Sequence, residues 1–161
     1  MTQRSLELIS AYLTDQKESI AIAESVTAGL LTNAFSRSLN ATRFLQGGIT
    51  VYNLGQKTRH LQVNPIHAEE TNSVSPEIAV QMAAEVSRYF CCQWGIGITG
   101  YAAPVPALKI KTCFAYYAVL RNATVFSSGR IETHLKGQGR VQQYFVDTVL
   151  RSFSRSISEF K

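Results

Sequence analysis

Apolar residues at the start of the chain fall three and four positions apart. In "RSLELISAYLTDQ", Leu6, Ile9 and Leu13 take this spacing, which predicts a helix. The period then shortens. "SIAIAE" reads as a short strand, and "SVTAGLLTNAFSRSL" returns to helical spacing with Ser25 near its first turn and Arg37 in its last. "FLQGGITVYN" is rich in β-branched and aromatic residues and predicts a strand with Gly47 and Gly48 near its start. Asn53, with Gln56 three residues later, forms a capping-box pattern that opens a helix over "NLGQKTRHLQ". The clearest helix is "SPEIAVQMAAEVSRYFCC", where Ser75 caps, Pro76 takes the first helical position and Glu77 lies in the first turn.

Beyond that helix, "WGIGITG" predicts a buried strand ending in glycine. "CFAYYAVLR" and "TVFSSGRIET" predict two antiparallel strands joined through Asn122, and "GRVQQYFVDTVLRSFSRSISEF" a long closing amphipathic helix. Helices and strands interleave first, then a hairpin and a helix follow. The predicted fold class is α/β, a layered sandwich around a mixed sheet with helices on both faces. No repeat, linker or low-complexity tract divides the chain, so residues 1–161 are expected to form one domain.

Composition narrows the class. With 161 residues, 45% hydrophobic and 17% charged, the chain suits one globular core. It has no apolar run of about eighteen residues, so no membrane association is expected. The amphipathic N-terminus does not resemble a secretory signal. Three cysteines, two of them adjacent, make no disulfide framework, and no Cys or His spacing suits a metal. The expectation is a cytoplasmic protein with neither metal nor cofactor. A net charge of +5 invites an anionic partner. The basic residues are scattered, however, which disfavours nucleic acid and suits a phosphorylated small molecule. A homo-oligomer stays open.

Three strand ends carry polar residues where open α/β sheets bind ligands. They supply Glu24, Ser25 and Thr27, then Tyr52, Asn53 and Lys57, and finally Thr99 and Gly100. If these strands are neighbours, a serine, a tyrosine, a lysine and a threonine share one cleft. A serine hydroxyl needs a base to become a nucleophile, and a lysine serves only when neutral, which requires partial desolvation or nearby positive charge. Each residue also has a plainer role. Ser25 and Thr27 suit helix capping, Lys57 a solvated helix face, Tyr52 a core edge with a wet hydroxyl, and Thr99-Gly100 a turn. His60, His67 and His134 lie far apart without a partner motif, and Cys91 and Cys92 suit packing at a helix end.

In order, these segments resemble the CinA C-terminal domain family of nicotinamide-nucleotide amidohydrolases. "AESVTAGLLTNAFS" is similar to that family's "AESCTGGLLA". "FLQGGITVYNLGQKTRHLQV" matches its "F-x-GG-x-x-x-Y-x-x-x-x-K-x-x-L-x-V", "SVSPEIAVQMAAEVSRYF" its "AVSEEVARAMAEGAR", and "GIGITGYAAP" its "AVTGIAGP". The resemblance implies a metal-free cytoplasmic enzyme that hydrolyses the carboxamide of nicotinamide mononucleotide (NMN) to the acid and ammonia. It places the nucleophile on Ser25, the base on Lys57 and an orienting hydroxyl on Tyr52. Thr27, Thr99 and Gly100 would face the substrate, and Arg140 its phosphate.

The chain departs from the family pattern at Val26 and Ala28, and most at residues 100–112. There "GYAAPVPALKIKTCF" replaces a longer glycine-rich loop, and Lys111 stands where the family has a glycine. Tyr101 and Lys111 are expected to reshape the pocket. Two hypotheses follow. One is an NMN amidohydrolase. The other is a catalytically impaired homologue that binds a pyridine nucleotide or acts as an assembly module.

Overall fold

The computed structural model describes residues 2–160. Five strands form one mixed sheet in the order β2-β1-β3-β4-β5. They are β1 (Ile20–Glu24), β2 (Leu45–Thr50), β3 (Trp94–Tyr101), β4 (Cys113–Arg121) and β5 (Thr124–Thr133). β1 runs parallel to both β2 and β3, whereas β4 and β5 continue antiparallel. Six helices cover the sheet: α1 (Thr2–Gln16), α2 (Leu30–Ser36), α3 (Leu54–Leu61), α4 (Pro65–Glu70), α5 (Pro76–Tyr89) and α6 (Gln138–Phe160). The expected α/β sandwich with a mixed sheet is what forms.

Strand alternation assigns the faces. Ile20, Ile22, Trp94, Ile96 and Ile98 point toward α1, α2 and α6 and build the larger core with Leu13, Phe35, Phe145 and Phe153. Ala21 and Ala23 point the other way, toward Leu61, Ile78 and Met82 of α3 and α5. On that face β3 presents Gly95 and Gly97. A Cβ at Gly95 would lie 1.9 Å from the Ala83 carbonyl oxygen, and one at Gly97 2.2 Å from that of Ala79. The backbones of α5 and β3 therefore meet directly, and no larger residue fits at either position.

The chain leaves β1 outward to β2, then crosses back over the sheet to β3. Chain direction reverses beside β1, the arrangement that opens a crevice at the carboxyl ends of parallel strands. The opposite end of the sheet is fastened. Glu18 accepts from Trp94 Nε1 at 2.6 Å and from Arg121 Nη2 at 2.7 Å and Nε at 3.1 Å, and the Arg121 guanidinium lies 5.4 Å from the Trp94 ring centre.

Two local expectations fail. Helix α2 begins at Leu30, not near Ser25, because Ala28 and Gly29 both take left-handed conformations (φ 48° and 99°) and residues 25–29 form a turn. Helix α4 went unpredicted. Its six residues are too few for periodicity, although Asn64 caps it by accepting from the Ile66 and His67 N–H groups. The β4–β5 hairpin, by contrast, turns through Asn122 as expected.

That hairpin turns on two residues, Asn122 (φ 49°) and Ala123 (φ 62°), between the paired Arg121 and Thr124. Positive φ at both positions is the geometry that favours Asn-Gly, so Ala123 carries an avoidable left-handed strain. Ala123→Gly is expected to stabilise the protein by about 0.5–1 kcal/mol, raising the melting temperature by roughly 1–4 °C in calorimetry. A melting temperature unchanged or lowered would show that the turn is unstrained.

Candidate active site

The site is built from the end of β1. Glu24 is fully buried (0% exposed), and its carboxylate takes five hydrogen bonds. Oε2 accepts from Thr27 Oγ1 (2.5 Å) and from the N–H groups of Gly29 (3.1 Å) and Leu31 (3.0 Å). Oε1 accepts from the Thr32 N–H (2.7 Å) and Oγ1 (2.6 Å). A single carboxylate thus satisfies the opening N–H groups of α2, the task the sequence suggested for Ser25 or Thr27. The Thr27 side chain is buried and its hydroxyl is engaged by Glu24, which leaves only its backbone N–H to face a ligand.

Ser25 is held by its backbone instead. Its N–H donates to the Ile98 carbonyl (3.1 Å), extending the β1–β3 ladder by one residue, and its carbonyl accepts from the Ala28 N–H (3.2 Å). From α6, Gln142 Nε2 donates to the neighbouring Val26 carbonyl at 2.9 Å. The N–H groups of Val26 and Thr27 meet no acceptor among the described residues. The Ser25 side chain is left to a different partner.

That partner is Lys57. Asn53 caps α3 by accepting from the Gln56 N–H, as the sequence predicts, and so places Lys57 one turn into the helix. The lysine is only 2% exposed, and its Nζ donates to Ser25 Oγ at 2.9 Å. No carboxylate among the described residues forms an ion pair with it. Burial without a counter-charge disfavours the ammonium and lowers its pKa from 10.5 to about 8. Of the two roles the sequence left open for Lys57, the solvated helix face does not hold: α3 turns this residue inward.

A cleft of about 500 Å³ opens above the pair. Ser25, Tyr52, Lys57, Ser73, Thr99 and Tyr101 are among its walls. Thr99 is buried and donates from Oγ1 to the Ser73 carbonyl at 2.7 Å, steadying a turn in which Asn72 and Ser73 are both left-handed (φ 51° and 61°). Gly100 lines the cleft, but its lack of a side chain answers to the sheet. A Cβ there would lie 2.3 Å from the Phe114 carbonyl oxygen.

Two other residues sit differently from expectation. Tyr52 stands at the rim, 62% exposed, and none of the described hydrogen bonds joins its hydroxyl to Ser25 or Lys57. Arg140 is exposed in the first turn of α6 and lines no part of this cleft; Gln138 of the same turn does. The rebuilt segment after Gly100 folds on itself. Val105 and Ile110 exchange backbone hydrogen bonds of 3.0 and 3.1 Å around a short 3-10 turn, and Tyr101, Ala102, Ala103 and Val105 form one wall of the cleft.

Sequence reasoning grouped Glu24 with the polar strand-end residues but gave it no task. The signal was there in Thr27, Gly29 and Thr32, small or hydroxyl-bearing residues within eight positions of an acid at a strand end. The contributions of Ser73 from the α4–α5 turn and of Gln142 from α6 leave no local mark.

The family model of the CinA C-terminal domain matches residues 2–157. A CinA-like protein of Thermosynechococcus vestitus is 33% identical over 122 residues, covering 74% of this chain and 29% of that protein. One from Rippkaea orientalis is 30% identical over 126 residues, 78% of this chain and 29% of that protein. The chain therefore spans under a third of the length of these curated relatives. Among solved structures, a competence-damaged protein (CinA) superfamily member from Klebsiella pneumoniae superposes with a TM-score of 0.88 at 18% identity, covering 99% of each chain. A competence or damage-inducible protein from Enterobacter asburiae gives 0.81 at 23%, covering 97% of this chain and 98% of that one. These two likenesses carry the fold, and the family match carries the kinship: the chain belongs to the CinA C-terminal domain family.

Proposed function

We propose that the cleft hydrolyses the carboxamide of a pyridine nucleotide, NMN, to the acid and ammonia, with Ser25 as nucleophile and Lys57 as general base. The observation that carries this reading is the buried, uncompensated Lys57 Nζ at 2.9 Å from Ser25 Oγ. A structural lysine gains nothing from such a place, whereas a base needs a pKa near the working pH.

Neutral Lys57 takes the hydroxyl proton as Ser25 Oγ attacks the carboxamide carbon. The oxyanion of the tetrahedral intermediate is met by the unengaged N–H groups of Val26 and Thr27. Lys57 then passes its proton to the amide nitrogen, the C–N bond breaks, and ammonia leaves an ester on Ser25. Water, giving its proton to Lys57, attacks that ester. Return of the proton to Ser25 Oγ frees the acid. Thr99 acts through Ser73 on the wall, and Tyr52 lies where a ligand entering the cleft passes. The reaction calls on no cofactor.

The test is ammonia release from NMN by the purified protein. Ser25→Ala and Lys57→Ala are each expected to lower kcat/KM by at least about a thousandfold. Lys57→Arg, which keeps charge but cannot give up its proton, is expected to be equally inactive. Full activity in any of the three overturns the Ser–Lys assignment. Nucleotide binding without turnover in the wild type would favour the reading of a binding-only homologue.

Because the active form carries neutral Lys57, kcat/KM is expected to rise about tenfold per pH unit below pH 8 and to level off above it. A flat profile between pH 6 and 9 would remove Lys57 from the role of base. Stability offers a readout free of turnover. With a folded pKa of about 8 and an unfolded value near 10.4, the unfolded chain holds the extra proton between these limits, so stability rises with pH there. Lys57→Met removes the buried ammonium, so its stability advantage over wild type is expected to be largest below pH 8. That advantage should shrink by about 3 kcal/mol by pH 10.5 in urea unfolding. An advantage that does not change with pH would place the Lys57 pKa at its ordinary value.

A further inference from the structure

A second chamber of about 420 Å³ adjoins the first and shares Ala102, Ala103 and Gln138 with it. Its charge is one-sided. Lys111 enters from the loop just before β4, and His134 and Lys136 from the β5–α6 connection, while no Asp or Glu lines it. Thr133, only 9% exposed, also faces it. The Thr133 Oγ1 accepts from the Leu135 N–H at 3.2 Å, but its own proton meets no acceptor among the described residues. The N–H groups of Gln138, Gly139 and Arg140, which open the 23-residue helix α6, meet none there either, and the first turn of α6 has no acidic residue.

We propose that this chamber is an anion subsite that takes a phosphomonoester, the phosphate end of a ligand whose other end reaches Ser25. Two ammonium groups, an imidazole, a buried hydroxyl and a helix N-terminus each have a donor to offer, no carboxylate lines the chamber, and a phosphate supplies acceptors. The lining shared at Ala102, Ala103 and Gln138 sets the two chambers side by side, so a ligand crossing it would have its reacting group at Lys57 and its charge at Lys111 and Lys136. This assignment displaces the expectation for Arg140. Arg140 lines neither chamber, although its Cδ lies 3.9 Å from a Cβ placed at Gly137, which lines the second. Lys111, the residue that stands where a glycine was expected, becomes a specificity residue.

The subsite rests on the nucleotide reading for its ligand but is tested separately by binding. Ser25→Ala protein, which does not consume substrate, is titrated calorimetrically with NMN and with its phosphate-free nucleoside, nicotinamide riboside. The expected result is tighter binding of NMN, and a loss of about tenfold or more in NMN affinity on adding Lys111→Gln and Lys136→Gln, with riboside affinity unchanged. Both lysines are exposed, so the variants should melt with the parent, and the double Lys→Arg variant should restore affinity if charge is what matters. Equal affinity for NMN and riboside, or an unchanged Kd in the double Gln variant, overturns the proposal. If NMN does not bind at all, inorganic phosphate is the probe. Saturable phosphate binding that the double Gln variant loses upholds the subsite, and its absence in the parent overturns it. Failure of ammonia release with phosphate binding intact strikes the amidohydrolase reading alone.

Discussion

The five hydrogen bonds on the Glu24 carboxylate are the interaction on which the site depends. A helix entering just after a strand needs its first N–H groups satisfied, and a serine at that junction would ordinarily supply the oxygen. Glu24 does so from the last residue of β1, reaching forward to Thr32. The helix therefore starts late, the intervening turn keeps Ser25 beside Ile98 of β3, and the serine hydroxyl is released from structural duty. Burying a carboxylate is costly unless every lone pair is occupied, and here nearly every one is. The cap, the turn and the freedom of the Ser25 hydroxyl are one arrangement.

The same logic extends to Lys57. A buried ammonium with one neutral hydrogen-bond partner is a poor structural element. It is tolerated because α3 is anchored at both ends: Asn53 caps its start, and the Val63 N–H returns to the Lys57 carbonyl at 3.3 Å. The backbone contact between α5 and β3 and the Glu18–Arg121–Trp94 cluster hold the frame against which this cost is set. Stability gathered far from the cleft thus maintains an unfavourable charge inside it.

Most of the frame was legible in the sequence. The period-two and period-3.6 patterns located all five strands and five of the six helices, since each rests on apolar residues facing one core. The cap residues Asn53 and Ser75 were legible because their signatures are local. What escaped was non-local or too short. Helix α4 has no full apolar stripe, and the start of α2 was misplaced because a carboxylate competed with the serine for the same N–H groups. In the site, Ser25, Lys57 and Thr99 are gathered as their strand ends implied, although Thr99 turns its hydroxyl to Ser73. Thr27 and Tyr52 were assigned by position along the chain, whereas the Thr27 hydroxyl turns to Glu24 and Tyr52 stands exposed in the cleft wall, with no hydrogen bond to Ser25 or Lys57 among the described residues. Sequence spacing fixes which end of a strand a residue occupies but not where a loop side chain turns.

The Val105–Ile110 hairpin closes its own backbone hydrogen bonds and lends only one wall to the cleft. Its fold asks little of the sheet, and the Ser25–Lys57 pair draws no hydrogen bond from it. Such a segment is a separable part: its length and composition can drift over generations while the chemical pair beneath it stays fixed. In this chain, the shape of the cleft wall and the Ser25–Lys57 pair are therefore open to selection on different residues.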